Sequence, residues 1–179
     1  MQVLLILIEW LLQLLVGAAL LRAWMNGLRI NMRLQPGLFV MALTDWLVKP
    51  LRRWMPQAMA KSRLDWGSVL AALLWALVYS WALMMISGLA TGRPMGAVGA
   101  AGVALVFLLR TALQTWSLLL IAMVILSWVQ PASLLHHTLT RVMAPLVAPF
   151  RRALPLVGGV DLSPALVLLL LQLAVMLLP

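Results

Sequence analysis

Long apolar runs separated by polar segments dominate the chain. Three runs, at residues 3–24, 66–90 and 111–129, approach or exceed the roughly 20 residues that a helix needs to cross the hydrocarbon core of a bilayer. A fourth run, at 164–178, is shorter. It could cross a thinned bilayer, or a bilayer of ordinary thickness with help from the residues that flank it. This pattern predicts an all-α polytopic membrane protein with about four transmembrane helices.

The apolar stretch before the third run is the hardest to assign. Gly96, Gly99 and Gly102 recur there at every third position. Glycine lowers helix propensity, yet small residues at such spacing also let helices approach closely in lipid. No proline separates this stretch from the third run, so we expect one long helix over about 97–129, with a re-entrant segment as the alternative.

Each of the two longest polar segments, 25–65 and 130–163, contains an amphipathic stripe. The first stripe is Phe39, Leu43, Trp46 and Leu47, with Asp45 and Lys49 paired on another face; the second is Leu135, Leu139, Val142, Met143 and Leu146. Both stretches are too short and too polar to span, so they predict helices lying in the membrane interface. We expect Pro50 to end the first helix, and Pro145 and Pro149 to end the second, because proline cannot donate a helical hydrogen bond.

A basic-proline string occurs twice. The sequence Pro-Leu-Arg-Arg begins at Pro50, and Pro-Phe-Arg-Arg begins at Pro149. An acidic residue follows each string before the next apolar run. The repetition predicts two units, 1–92 with spans 3–24 and 66–90, and 93–179 with spans 97–129 and 164–178.

The repeated strings form the first candidate site. Guanidinium groups bind phosphates and carboxylates in a bidentate manner, and prolines beside them would fix the backbone. We therefore predict that the two motifs bind a partner or lipid. Their residues are Pro50, Arg52, Arg53, Asp65, Pro149, Arg151, Arg152 and Asp161.

Composition and charge place these elements relative to a membrane. The chain is 65% hydrophobic and 9% charged, with a mean hydropathy of +1.07, which excludes an ordinary soluble domain. Segment 25–65 holds seven basic residues and 130–163 holds three, against two between the second and third spans. The positive-inside rule places both basic segments in the cytoplasm and both termini outside it, so the units have parallel topology in the inner membrane. The net charge of +9 is explained by topology and anionic lipid, without nucleic acid.

The small number of titratable residues argues against an enzyme. The chain has four acidic residues, no cysteine and two adjacent histidines, His136 and His137. Neighbouring helical residues point about 100° apart, so these histidines do not converge on one metal ion. No nucleophile–base pair, phosphate-binding loop or metal-ligand spacing is present. We expect no catalysis and no cofactor.

Ionisable residues inside apolar runs are the second candidate site. Glu9 and Gln13 share a face of the first run, and Arg110 is followed on its own helix by Gln114 and Ser117. With both charges toward the outer side, Glu9 and Arg110 could pair. This polar seam either fixes helix packing or forms a polar passage or partner-binding surface.

Taken together, the motifs resemble those of the YggT family of bacterial membrane proteins, also called YlmG-like, with relatives in cyanobacteria and plastids. The second unit matches most cleanly, through Leu126-Ser127-Trp128-Val129, Ala144-Pro145, the arginine string and Asp161; the first keeps Arg22-Ala23-Trp24, Thr44, its own string and Asp65. The resemblance implies a non-enzymatic membrane factor. Its relatives have been connected with osmotic or ion stress, cell division and nucleoid placement, and assembly of membrane cytochromes.

These observations favour a scaffold or assembly factor that docks another integral membrane protein. The alternative is a channel or regulator in ion or osmotic homeostasis. The other expected partners are membrane lipids and a second copy of the chain. A stable complex of the chain with a large partner would favour the scaffold function, whereas a homo-oligomer would favour the channel.

Overall fold

The computed structural model describes residues 2–54, 65–91, 96–153 and 161–179, and this part of the chain contains helices and no strands. The all-α prediction is therefore confirmed for the described residues. Six helices follow one another within these described ranges. They are α1 (Gln2–Gly27), α2 (Gly37–Trp54), α3 (Trp66–Thr91), α4 (Ala97–Val129), α5 (Leu134–Ala153) and α6 (Ser163–Leu177).

Three of these helices are long and apolar enough to cross a bilayer. The spanning stretches are Ile6–Gly27, Trp66–Ile86 and Ala97–Val129, whereas α6 is apolar but has only 15 residues. Large apolar side chains lie on the outside of the bundle, for example Trp10 at 65% and Met176 at 81% exposure. An apolar outer surface of this kind is compatible with a membrane protein.

Helix α4 continues without interruption through the glycine-spaced stretch. Its 33 residues extend about 50 Å at 1.5 Å per residue. That length exceeds the hydrocarbon core of about 30 Å, so a helix of this length that crosses a bilayer tilts or projects beyond it.

The prolines do not end α2 and α5, and that prediction is wrong. Helix α2 continues through Pro50 to Trp54, and α5 continues through Pro145 and Pro149 to Ala153. A proline removes one intrahelical hydrogen bond, but packing of the buried residues nearby, Val48 in α2 and Val147 in α5, keeps each helix folded around it. In α2 the buried face is not the stripe predicted from sequence, since Phe39 and Trp46 are exposed. The arginine pairs therefore lie in the last helical turns, where positive charge complements the helix dipole. Segments 25–65 and 130–163 are each predicted to form a hairpin, and residues 55–64 and 154–160 of them lie outside the described part of the chain.

Contacts between helices define their directions. Gly17 of α1 lies against Thr115 of α4, and eight residues further along each helix Met25 and Met123 belong to one apolar cluster, so these helices run side by side in the same direction. Helices α3 and α6 return antiparallel to them, because Asp65 contacts Asn26 and Arg110 contacts Leu178. Helices α2 and α5, which follow α1 and α4, consequently lie at the same end of the bundle.

Two apolar clusters hold the helices together. One lies between α1, α2, α3 and the first half of α4, where Ala71, Ala72 and Ala76 allow close packing. The other lies between α4, α5, α6 and the end of α1, around Met25 and Met143. The Trp24 indole N–H also donates to the Val142 carbonyl at 3.0 Å, which joins the end of α1 to α5.

Candidate functional site

Asp65 is the centre of a polar cluster at the end of the bundle where α2 lies. It precedes α3 and caps it, because its carboxylate accepts hydrogen bonds from the Ser68 backbone N–H at 3.3 Å and hydroxyl at 2.7 Å. Asn26 of α1 donates to it at 2.8 Å, and Arg52 of α2 donates through both Nε and Nη2. One carboxylate thus connects three helices.

The Asp65 side chain is only 5% exposed, so its charge depends on these donors. Burial opposes ionisation, but the hydrogen bonds from Arg52 and Ser68 outweigh it and hold the pKa of Asp65 below its usual value. The carboxylate is therefore charged at neutral pH.

Arg22 is a buried member of this cluster that sequence reasoning missed as a site residue. The residue is 4% exposed, and its Nη1 donates to Thr44 Oγ1 at 2.7 Å and to Asp45 Oδ1 at 2.8 Å. Its Nε lies 3.6 Å from Asp65 Oδ2. An arginine inside an apolar run was the available signal, because a charge there needs a partner.

Asp45 connects Arg22 to the surface of α2. Lys49 approaches it at 2.7 Å, one turn along the helix, which confirms the pairing predicted from their spacing. Partial burial favours the neutral acid, yet the hydrogen bonds from Lys49 and Arg22 prevail and lower the pKa of Asp45.

The second unit has a simpler version of the same arrangement. Arg151 Nε donates to Asp161 Oδ2 at 2.6 Å, and the Ser163 backbone N–H donates to Oδ1 at 2.9 Å. The pKa of Asp161 is lowered because hydrogen bonds from Ser163 and Arg151 outweigh its desolvation. Leu126 and Ala144 occupy the motif positions that hold Arg22 and Asp45 in the first unit.

The two arginines of each pair differ in their environment. Arg52 and Arg151 are each held by the aspartate before the next apolar helix. Arg53 and Arg152 are exposed, and neither makes an ion pair or hydrogen bond with any described residue. Each motif therefore has one arginine held by an aspartate and one without a partner among the described residues.

The intramembrane polar residues lie in more than one place. Gln13 Nε2 donates to Glu9 Oε1 at 3.5 Å, whereas Arg110 Nη2 donates to the carbonyls of Leu178 at 3.2 Å and Pro179 at 3.3 Å. Within the described chain, no ion pair joins Glu9 to Arg110, although both line one cavity of about 450 Å³.

The remaining seam residues face elsewhere. Gln13 and Gln114 line a second cavity, of about 320 Å³. Ser117 is buried and donates to the Leu113 carbonyl of its own helix at 2.9 Å.

The described residues contain no cluster of three or more His, Cys, Asp or Glu side chains that could hold a metal ion. The rings of His136 and His137 have centroids 6.0 Å apart. The arrangement of charged groups suits binding of anionic or hydrogen-bonding groups at the α2 and α5 end of the bundle.

Comparisons with known proteins give the chain its relatives. The CCB3/YggT family matches residues 1–86 and 102–179. "Uncharacterized protein YggT" of Escherichia coli K12 is 33% identical over 174 residues, which cover 96% of this chain and 86% of that protein. "Uncharacterized protein in proC 3'region" of Vibrio alginolyticus is 30% identical over 94% of this chain and 89% of its own length.

No solved structure matches the chain. The family match nevertheless covers both halves of the chain, and each matched half contains one arginine pair and the aspartate that holds its first member. The protein belongs to the CCB3/YggT family.

Proposed function

We propose that this protein is a non-enzymatic scaffold or assembly factor of the bacterial inner membrane. It docks an integral membrane partner through its apolar helices and through the arginine pairs at the ends of α2 and α5. The two units, 1–92 and 93–179, act as parallel copies that present these pairs on the cytoplasmic side.

The observation that supports this proposal most is the difference between the two arginines of each pair. Arg52 and Arg151 already have carboxylate partners, while Arg53 and Arg152 have none among the described residues. Topology requires only positive charge, which lysine also supplies. A rigid helix end with one free guanidinium suits a defined carboxylate or phosphate acceptor on a partner.

The geometry of the bundle supports the same role. Because α1 and α4 run in the same direction, the free arginines lie at one end of the protein rather than at opposite ends. Two anchoring points on one face allow a single partner to be held at two positions. The concentration of basic residues in 25–65 and 130–163 favours the cytoplasm for this end, with both termini outside.

The experiment is a comparison of arginine-to-lysine variants by co-purification from membranes in mild detergent. Arg53→Lys combined with Arg152→Lys keeps the charge and should leave abundance and insertion normal while reducing recovery of the partner about tenfold, the loss expected when a charge-assisted bidentate hydrogen bond is removed. The matched control combines Arg29→Lys with Arg33→Lys, two other basic residues of segment 25–65.

Two outcomes would overturn the proposal. Unchanged recovery in the Arg53 and Arg152 variant would mean that the pairs act as topology signals alone. Recovery of only a homo-oligomer, in wild type and variants alike, would favour the alternative of a channel or regulator in ion or osmotic homeostasis.

A further inference from the structure

A further candidate site lies between α1, α3 and α4, at the end of the bundle away from the arginine pairs. It is the cavity of about 450 Å³ that Glu9, Tyr79 and Arg110 line together with apolar residues. All three polar residues are partly buried and none is fully enclosed, so an occupant can reach them. A concave pocket of about this volume, mainly apolar with a few polar groups, is typical of small-molecule sites.

The two charged side chains line one cavity without pairing with each other. Glu9 accepts a long hydrogen bond, 3.5 Å, from Gln13, and no described basic side chain makes an ion pair with it. Arg110 Nη2 donates to the backbone carbonyls of Leu178 and Pro179, while its Nε is enclosed, so only the terminal guanidinium nitrogens can contact an occupant. Within the described part of the chain, each charged side chain therefore lacks a charged side-chain partner, which is costly inside a membrane-spanning helix.

Tyr79 of α3 brings a third polar group to the same cavity. Its ring stacks on that of Phe107 of α4, with centroids 4.0 Å apart and planes inclined by 18°. Because Phe107 is buried, this stacking fixes the tyrosine ring. The Tyr79 hydroxyl lies within electrostatic range of both Glu9 and Arg110. The cavity thus offers acceptor oxygens from Glu9 and Tyr79 and N–H donors from Arg110.

Both charged residues lie near the border of the bilayer rather than at its centre. Glu9 follows the start of the spanning stretch Ile6–Gly27 by about 5 Å. Residues 110–129, at the end of the stretch Ala97–Val129, extend about 30 Å, which is the thickness of the hydrocarbon core. With the other ends of these helices at the opposite border, Glu9 and Arg110 lie at the depth where phospholipid headgroups begin.

The charges of the lining select one class of occupant. One acidic and one basic group favour a molecule that carries both charges, because a simple anion would be repelled by Glu9 and a simple cation by Arg110. Guanidinium groups bind phosphate. Carboxylate and hydroxyl oxygens accept hydrogen bonds, which a primary ammonium donates and a quaternary ammonium does not. The apolar wall at this depth, which includes Leu83 and Val106, suits the glycerol and first methylene groups of a lipid.

We infer that the cavity between α1, α3 and α4 binds the headgroup of a zwitterionic phospholipid that has a primary ammonium, with the ammonium on Glu9 and Tyr79 and the phosphate on Arg110. The lipid lies at the membrane border opposite the arginine pairs. This inference is independent of the proposed scaffold role, since it involves different residues at the other end of the bundle.

The test measures the thermal unfolding of the purified full-length protein in detergent micelles, after bound lipid has been removed. Dioleoylphosphatidylethanolamine and dioleoylphosphatidylcholine are titrated separately, because they share acyl chains, phosphate and net charge and differ in the ammonium group. The ethanolamine lipid should raise the melting temperature saturably, at about a tenfold lower concentration than the choline lipid, as expected when charge-assisted hydrogen bonds are lost. Free O-phosphoethanolamine, which lacks acyl chains, should have no effect at the same concentrations.

The variants separate the two ends of the headgroup. Glu9→Gln keeps the side-chain shape and should bring the two lipids to equal half-saturating concentrations, because the charged partner of the ammonium is gone. Arg110→Gln should weaken both lipids about tenfold, because both contain the phosphate. Arg141→Gln is the matched control and should weaken neither, since Arg141 is exposed on α5 and does not line this cavity. If Arg110→Gln fails to fold, the comparison of Glu9→Gln with wild type decides the question.

Four results would overturn the inference. Equal stabilisation of wild type by both lipids would show that the ammonium is not recognised, and a preference that survives Glu9→Gln would place its recognition elsewhere. Stabilisation by O-phosphoethanolamine at the concentrations effective for the lipid would show that the occupant is a free zwitterion and not a lipid. No saturable effect of either lipid is the result expected if another protein chain fills the cavity.

Discussion

Arg22 Nη1 of α1 lies 2.8 Å from Asp45 Oδ1 of α2. The Arg22 side chain is only 5% exposed, whereas that of Asp45 is 30% exposed. The arginine is therefore buried and the aspartate remains partly accessible to water. The interaction fixes α2 against α1. It thereby positions the Arg52 and Arg53 pair at the end of α2.

Replacing Arg22 by leucine should destabilise the protein by about 1.5–3 kcal/mol, because hydrogen bonds from a buried charged group are lost while Asp45 keeps Lys49 and Asp65 keeps Arg52. Thr44 and Asp45 would each lose a hydrogen bond from Arg22 Nη1, and Asp65 would lose a positive charge 3.6 Å away. Unfolding of the purified variant in detergent, followed by helical circular dichroism, measures this loss.

The second unit supplies the rescue for this experiment, since it has Leu126 and Ala144 where the first has Arg22 and Asp45. Combining Arg22→Leu with Asp45→Ala should recover much of the lost stability. Arg33→Leu, at an exposed arginine with no side-chain partner among the described residues, controls for the change in net charge. Equal destabilisation by Arg33→Leu, or the absence of rescue, would contradict the assignment.

Acid should destabilise the first unit through Asp45 and Asp65. Their pKa values are lowered in the folded protein because hydrogen bonds from basic side chains and Ser68 outweigh desolvation. A lowered folded pKa contributes stability above the unfolded value of about 4, and this contribution is lost as the pH falls through the folded value.

The melting temperature should therefore fall as the pH is lowered below about 4. Asp65→Asn should have a lower melting temperature at pH 7 and a shallower decline in acid, because the titrating group is gone. If the melting temperature of Asp65→Asn falls as steeply in acid as that of wild type, then other carboxylates cause the loss of stability.

The helices could be predicted from sequence more fully than the site. The apolar runs identified α1, α3, α4 and α6, since length and hydropathy dominate what a bilayer accepts. The ends of α2 and α5 could not be predicted from their prolines, because packing of residues such as Val48 and Val147 against the bundle stabilises the helix beyond them.

Arg22 was missed for a related reason. It lies two residues before Trp24, inside a run whose average hydropathy hides one charge, and its partners Thr44 and Asp45 come from another helix. The pairing of Arg52 with Asp65 spans 13 residues, which sequence spacing alone does not predict. The repetition of both residues in the second unit was the usable signal.

Topology can be tested directly because the chain has no cysteine. Single cysteines at Trp54 and Ala153, both exposed at the ends of α2 and α5, should resist an impermeant thiol reagent applied from outside the cytoplasmic membrane. A cysteine at Val98, which is 89% exposed at the opposite end of α4, should react. Labelling of Trp54→Cys without labelling of Ala153→Cys would show that the two units do not face the same side.

The central claim is that both arginine pairs contact one membrane partner. The most direct measurement places a photo-crosslinking amino acid at position 54 or 153 in living cells and identifies the adducts by mass spectrometry, with position 98 as the control. The account predicts that positions 54 and 153 capture the same integral membrane protein, and that Arg53→Lys with Arg152→Lys reduces both adducts about tenfold. Capture of lipid or of a second copy alone, or equal capture from position 98, would contradict it.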